Sequence, residues 1–157
     1  MKEIERKFLV NSEEYKKKYR RKYQISQAYL NTDPDRTIRV RINDQKAYLT
    51  IKGRSSENGL TRFEWEKEIP LDEAKMLLNI CEPGKIEKLR YEVEEGEHVY
   101  EVDEFHDNNE GLVIAEVELE DEEEDFHKPG WLGKEVTGNK QYYNSNLLTN
   151  PYKNWKS

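Results

Sequence analysis

The chain has 157 residues, of which 38% are charged and 34% hydrophobic, and its formal net charge is −7. This length predicts one domain, residues 1–157, with a core of its own, and the acidic balance argues against a general nucleic-acid surface. The single cysteine cannot form an internal disulfide, and the sequence has no signal-peptide pattern and no membrane-spanning apolar run. We therefore expect a cytoplasmic protein that binds neither nucleic acid nor membrane.

The first ten residues alternate as a β-strand does, with Glu3, Glu5 and Lys7 on one face and apolar residues such as Phe8 on the other. Strand rise separates the Cα atoms of Glu3 and Glu5 by about 6.6 Å, so their carboxylates could share one cation. Lys7 could then meet an anion held by that cation. The alternative is an edge strand whose charged face is simply solvated.

Seven further segments show the period-two pattern of strands. They cover residues 24–30, 36–42, 46–52, 60–69, 86–94, 98–105 and 112–120. Helices are predicted at about 11–21, 71–79 and 138–148, with a packed loop at 129–133 and a loose tail after Pro151. The short connections between the strands favour antiparallel pairing.

The predicted strands each carry one apolar face and one charged face, and the helices need apolar surface to pack on. The simplest arrangement is a mainly β, α+β fold, an eight-stranded antiparallel β-barrel with a charged lumen and helices packed outside. Enclosed charges of both signs require pairing or a ligand, and a polyphosphate with a divalent metal would satisfy both signs. An open sheet whose charges pair across strands in water is the alternative.

Several of these segments resemble, in order along the chain, the CYTH superfamily, the triphosphate tunnel metalloenzymes. Residues 3–9, EIERKFL, carry the E-x-E-x-K pattern of that family. The likeness continues at residues 39–41, 52–53, 62–66, 88–91, 103, 116–118, 131–137 and 143–144. The chain is most similar to the small bacterial inorganic triphosphatases, and the adenylyl cyclase branch matches less well.

The resemblance implies metal-dependent hydrolysis of inorganic triphosphate (tripolyphosphate) to pyrophosphate and phosphate inside a tunnel, with Mg²⁺ or Mn²⁺ as cofactor. The expected metal ligands are Glu3, Glu5, Asp103, Glu116 and Glu118. The expected substrate-binding residues are Lys7, Arg39, Arg41, Lys52, Arg62, Lys88 and Arg90. Lys7 and Tyr29 are the candidates for placing or deprotonating the attacking water, although Tyr29 fits a packed barrel aromatic equally well.

Several alternatives stay open on the sequence. The tunnel could serve a class IV-type adenylyl cyclase, an organic (thiamine or nucleoside) triphosphatase, or a polyphosphate-binding module without catalysis. Glu64 and Glu66 could bind metal or hold the arginines in place. The number of metal ions and a homodimer formed through the apolar outer strands are equally open.

Overall fold

A computed structural model describes residues 2–155. The strands are β1 (Lys2–Val10), β2 (Tyr19–Asn31), β3 (Arg36–Asn43), β4 (Lys46–Ser55), β5 (Thr61–Ile69), β6 (Ile86–Glu95), β7 (His98–Phe105), β8 (Val113–Leu119) and β9 (Leu132–Glu135). The α-helices are α1 (Leu71–Leu78) and α2 (Asn144–Leu147), and single 3-10 turns lie at Glu14–Lys17, Asp107–Asn109, Lys140–Tyr142 and Tyr152–Asn154. Within residues 2–155, no helix has both the length and the apolar character needed to span a membrane.

Eight strands form a closed antiparallel barrel. They are hydrogen-bonded in the order β5-β4-β3-β2-β6-β7-β8-β1, and β1 pairs with β5 to close the sheet. The free edge of β1 is shared, because β5 pairs with residues 2–4 and β9 with residues 8–10. The predicted eight-stranded barrel is confirmed. β9 is an additional strand in a region where the sequence indicated only a packed loop.

The outer face of the barrel is covered by short helical elements, as period-two alternation requires. Ala74 of α1 is fully buried against Val40 and Ala47 on β3 and β4. On the other side, the turn after β1 packs the ring of Tyr15 against Tyr91 and Trp131, with centroid separations of 5.3 and 5.8 Å. Each large apolar side chain buried in this way contributes about 1.5–3 kcal/mol to the free energy of unfolding.

A further apolar cluster lies inside one end of the barrel. Ile86 and Ile114 precede cavity-lining residues by two positions on their strands, so they share the lumen face. Leu147 of α2 packs on both and is 1% exposed. Residues 137–155, called the C-terminal plug from here on, therefore close this end of the tunnel.

The predicted helix over residues 138–148 is wrong, because this range contains only one 3-10 turn and the four-residue α2. The prediction of a loose tail after Pro151 is wrong for residues 152–155, and residues 156–157 of that tail lie outside the described residues. The ring of Trp155 makes edge contacts with Tyr142 and Tyr152 at centroid separations of 5.2 and 5.1 Å. Aromatic packing across the tunnel end fixes a segment whose composition carries no periodic signal.

The predicted helix over residues 11–21 is also wrong beyond its first turn. β2 begins at Tyr19 and pairs with β6, where carboxylates meet the basic run. Arg20 lies 3.1 Å from Glu92, and Lys18 lies 2.9 Å from Glu95. Cross-strand partners of opposite charge decide in favour of the strand over the local helix signal.

The barrel closes over a short seam. β1 and β5 pair only from Lys2 to Ile4, and beyond this point the main-chain N–H of Glu5 donates to the carbonyl of Leu60 at 3.0 Å. Gly59 and Gly138 meet beside the seam. Gly59 has φ of +77°, and a Cβ atom there would lie 2.2 Å from the Cα atom of Gly138.

We expect Gly59→Ala to lower the free energy of unfolding by about 2 kcal/mol or more, because it combines a left-handed φ with a backbone clash. In thermal unfolding this corresponds to a fall in Tm of about 4 °C or more. Gly130→Ala is the matched control, since a Cβ atom there would meet nothing within 4 Å. Equal Tm values for the two variants would contradict a tightly packed seam.

Candidate active site

The lumen encloses a cavity of about 200 Å³. On this measure one water needs about 10–15 Å³, so the cavity has room for on the order of a dozen waters or a small polyanion. All of the predicted substrate-binding residues, Tyr29 and every predicted metal ligand except Asp103 line it. The residues concerned are Glu3, Glu5, Lys7, Tyr29, Arg39, Arg41, Lys52, Arg62, Lys88, Arg90, Glu116 and Glu118.

The charges follow an order along the strands. On β1 and β5 the basic residues nearest the C-terminal plug are Lys7 and Arg62, which lie 5.0 and 5.7 Å from the ring of Tyr143. The carboxylates on these strands, such as Glu3 and Glu66, lie further from the plug. On these two strands the positive charges therefore lie nearer the plug than the carboxylates of the same strand do.

Asp103 lies beneath the cavity and compensates its cations. Its two carboxylate oxygens accept hydrogen bonds from Nε and Nη2 of Arg90 at 2.7 and 2.9 Å, and Nζ of Lys88 lies 2.8 Å away. All three side chains are at least 95% buried. Burial alone would raise the pKa of Asp103, but Arg90 and Lys88 outweigh it and hold the pKa far below its usual range.

The other deep cations keep part of their hydrogen-bonding capacity. Nη2 of Arg39 donates to Thr50 at 3.1 Å, while its buried Nε has no hydrogen-bond partner among residues 2–155. Burial, with Arg90 and Arg41 nearby, lowers the pKa of Lys88 to about 7 despite the adjacent carboxylate. A buried donor without a protein acceptor, such as Nε of Arg39, indicates an anion as its natural partner.

Two cavity carboxylates are paired with lysines. Lys52 donates to Glu3 at 2.9 Å, and Nζ of Lys7 lies 3.3 Å from Glu116. Burial would raise the pKa of Glu116, but Lys7 and then Arg90 and Lys88 lower it to about 2. In the part of the chain that the structure describes, no three His, Cys, Asp or Glu side chains have the arrangement of a preformed metal site.

Glu5 is the carboxylate that best fits a bound cation. Among residues 2–155 its carboxylate has neither an ion pair nor a hydrogen bond. Burial, followed by the negative charges of Glu116 and Glu3, raises its pKa well above the ordinary value. Crowded oxygen ligands of this kind favour a hard divalent cation, which would relieve their repulsion.

Sequence reasoning missed four polar residues that shape the site. Asn144, Tyr143 and Thr137 come from the plug, and Gln27 comes from β2. The hydroxyl of Tyr143 lies 3.2 Å from that of Ser55, so the plug also contacts β4. Tyr143 and Asn144 belong to the stretch of family likeness, but isolated polar residues in a non-periodic segment give no local signal of their role.

A closed antiparallel tunnel lined by buried cations and by carboxylates defines a class of site for an anionic ligand together with a cation. The comparisons with known proteins agree with this class. A model of the CYTH domain matches residues 1–149, and the chain belongs to the CYTH domain family.

Curated relatives share almost the whole chain. An inorganic triphosphatase from Acetivibrio thermocellus is 50% identical over 156 residues, which cover 99% of this chain and 98% of the relative. An inorganic triphosphatase from Nitrosomonas europaea is 36% identical over 153 residues, covering 94% and 97%. The crystal structure of an inorganic triphosphatase superposes with a TM-score of 0.64 at 30% identity, covering 92% of this chain and 96% of the other.

Removing the charge of Asp103 leaves two buried cations without their shared partner, so we expect Asp103→Asn to lower the free energy of unfolding at pH 7 by about 3 kcal/mol or more. The depressed pKa means that this contribution is complete above the unfolded value of about 3.9 and is lost as pH falls toward the folded value. Below about pH 4, stability should therefore decline less steeply in the variant than in the wild type. Urea titrations at several pH values measure both effects.

The matched control is Asp35→Asn. Asp35 also accepts two hydrogen bonds from one arginine, Arg54, but this pair lies at the surface. Solvent screening makes such a pair weak, so the control should unfold almost as the wild type does. If Asp103→Asn and Asp35→Asn had the same free energy of unfolding, the buried contacts of Asp103 would not stabilise the fold as their geometry indicates.

Proposed function

We propose that this protein hydrolyses inorganic triphosphate to pyrophosphate and phosphate in its tunnel, with Mg²⁺ or Mn²⁺ as cofactor. The observation that carries the proposal is a set of buried cations, among them Arg39 with an unpaired Nε, that lines one small cavity together with carboxylates. The curated relatives named inorganic triphosphatase, at 50% and 36% identity over nearly the full chain, support the same activity. The substrate is therefore a small molecule bearing a triphosphate.

The deep cations would bind the phosphate chain. Arg39 and Arg41 present guanidinium groups, which match pairs of phosphate oxygens, and Lys88 presents a compact ammonium. An anion beside Lys88 would favour its charged form, since a nearby negative charge raises the pKa of an ammonium. Arg90 has three carboxylates within 4 Å, which suits it more to supporting the site than to direct binding.

Glu3, Glu5, Glu116 and Glu118 would hold the metal. Asp103 was also a predicted ligand, but both of its oxygens are occupied by Arg90 and Lys88, so we assign it to holding those cations. As a class, CYTH triphosphatases depend on a metal. When bound, the ion supplies Lewis acidity and makes a coordinated water more acidic.

Lys7 would orient the reacting groups as a charged donor. Burial would lower its pKa, but Glu116 and Glu5 outweigh this and raise it, which favours the role of a charged donor over that of a base. The hydroxyl of Tyr29 accepts a hydrogen bond from Gln27 at 3.4 Å, which leaves its own proton available to the cavity. Fixed donors around a transferring phosphoryl group stabilise its developing charge without reorganisation.

Phosphate release from tripolyphosphate should occur with Mg²⁺ or Mn²⁺ and stop when EDTA is added. The assay should be run beside ATP and pyrophosphate, with detection of cyclic AMP in the ATP reaction. Release from tripolyphosphate in preference to the other two would establish the proposal. Cyclic AMP would identify a cyclase, and tight binding of tripolyphosphate without any release would identify a binding module.

Glu5→Gln keeps the shape of the side chain and removes its charge. We expect metal-dependent turnover to fall by about 100-fold or more, because a ligand to the metal is lost. We also expect the metal-free variant to unfold at a higher temperature than the wild type, since the repulsion with Glu3 and Glu116 is relieved. Glu57→Gln, in an exposed loop, should change neither quantity. Full turnover in Glu5→Gln would remove this residue from the metal site.

A further inference from the structure

We propose that Asn144 of the C-terminal plug is a positioning residue that holds Lys88 and Arg41 in the orientation that binds phosphate. The inference rests on the proposed function and assigns to the plug a part in substrate binding. The plug thus contributes to the active site in addition to closing the tunnel.

One oxygen atom of Asn144 joins two donors from different strands. Its Oδ1 accepts a hydrogen bond from Nζ of Lys88 at 2.7 Å and another from Nε2 of Gln27 at 2.9 Å. The side chain lines the cavity, so these bonds lie at the wall of the binding site. Lys88 and Gln27 are 1% and 0% exposed, and bulk water is therefore not available to replace Asn144 as their acceptor.

The contact with Asn144 determines where the ammonium of Lys88 points. An ammonium has three N–H groups, and here Asn144 and Asp103 occupy two of them, at 2.7 and 2.8 Å. With two acceptors fixed, the direction of the third N–H is fixed as well, and Lys88 lines the cavity. Without Asn144 the ammonium would be drawn toward Asp103 alone, and its free N–H would lose a defined direction.

The second branch reaches Arg41 through Gln27. Because Asn144 accepts from the amide nitrogen of Gln27, the amide oxygen faces Arg41, whose Nε donates to it at 3.0 Å. This bond occupies the inner edge of the guanidinium and leaves its terminal nitrogens for an anion. Loss of Asn144 would let the Gln27 amide rotate, and the side chain of Arg41 would then lose its only hydrogen bond within residues 2–155.

Different residues of the plug close the tunnel and position the cations of the cavity. Leu147 supplies its apolar anchor against Ile86 and Ile114. Asn144 is the first residue of α2, whose N-cap is Tyr143 without a side-chain capping bond, so the carboxamide of Asn144 is not used to cap the helix. Its hydrogen bonds go instead to side chains of the cavity wall.

The test compares two asparagines of the same helix. Asn144→Leu keeps the approximate size of the side chain and removes both hydrogen bonds. Asn146→Leu is the matched control, because Asn146 is exposed and its amide donates only to the carbonyl of Lys140. Each variant is made in the wild type and in a Lys88→Ala background. The readouts are KM and kcat for tripolyphosphate, and the rise in Tm that tripolyphosphate produces.

We expect Asn144→Leu to raise KM and to lower kcat/KM by about tenfold or more, as loss of an orienting partner commonly does. In the Lys88→Ala background Asn144→Leu should change KM and kcat/KM by a smaller factor, because the effects of substituting residues that act through one another are not additive. A residue needed only for folding would lower the active fraction, and therefore kcat, with KM unchanged. If Asn144→Leu does not fold, Asn144→Ala is compared with Asn146→Ala in the same way.

The inference would be overturned if Asn144→Leu and Asn146→Leu gave the same KM, or if Asn144→Leu cost the same factor with and without Lys88. These outcomes are distinct from failure of the proposed function, in which the wild type itself does not hydrolyse tripolyphosphate. If the wild type binds without hydrolysis, the smaller ligand-induced rise in Tm expected for Asn144→Leu still decides the question.

Discussion

The structure depends on compensation between charges that the barrel encloses. Strand alternation directs the apolar faces outward, where short helical elements cover them, and this leaves ionised side chains inside. Asp103, held by Arg90 at 2.7 and 2.9 Å and by Lys88 at 2.8 Å, is the clearest case. Such a group is costly to bury alone and becomes tolerable only with good geometry and satisfied hydrogen bonds. The same requirement explains why carboxylates such as Glu116 and Glu3 lie beside lysines on the cavity wall.

Not every charged group in the lumen is fully paired within the described residues. The groups left over are a donor in one region and a carboxylate in another. Arg39 retains a buried nitrogen without a partner in the described chain, whereas Glu5 lies among other carboxylates. The described residues therefore leave a donor without an acceptor in one region and crowded acceptors in another. An anion and a cation bound together would satisfy both, so the tunnel is built to gain stability from its ligands.

The barrel and its lumen face were predictable because eight strands repeat the same alternation of apolar and charged residues. An error in the prediction of one strand does not change the conclusion drawn from all eight. The predicted helix over 11–21 failed because its local signals competed with β6, which supplies Glu92 at a separation of 72 residues from Arg20. β9 has four residues including Gly133, too few to show a period. Alternation placed Asp103 on the lumen face, but it cannot tell which enclosed charges touch, since that depends on register and rotamers. Asn144 belongs to the stretch of family likeness, but it lies in a segment without periodicity, which gives no signal of its contacts.

The shared edge of β1 has a consequence for how the chain folds. Its partners β8 and β9 lie far along the sequence, and the main-chain N–H of Lys7 reaches Thr137 across 130 residues. Contacts of such long range form slowly, because the entropy of closing the loop is lost before the contacts are gained. During synthesis one edge of β1 lacks its partner until β8 has been made, and an unpaired edge invites pairing with other chains. Charged side chains on a strand disfavour such pairing, and the residues proposed for metal and phosphate, Glu3, Glu5 and Lys7, give β1 three of them.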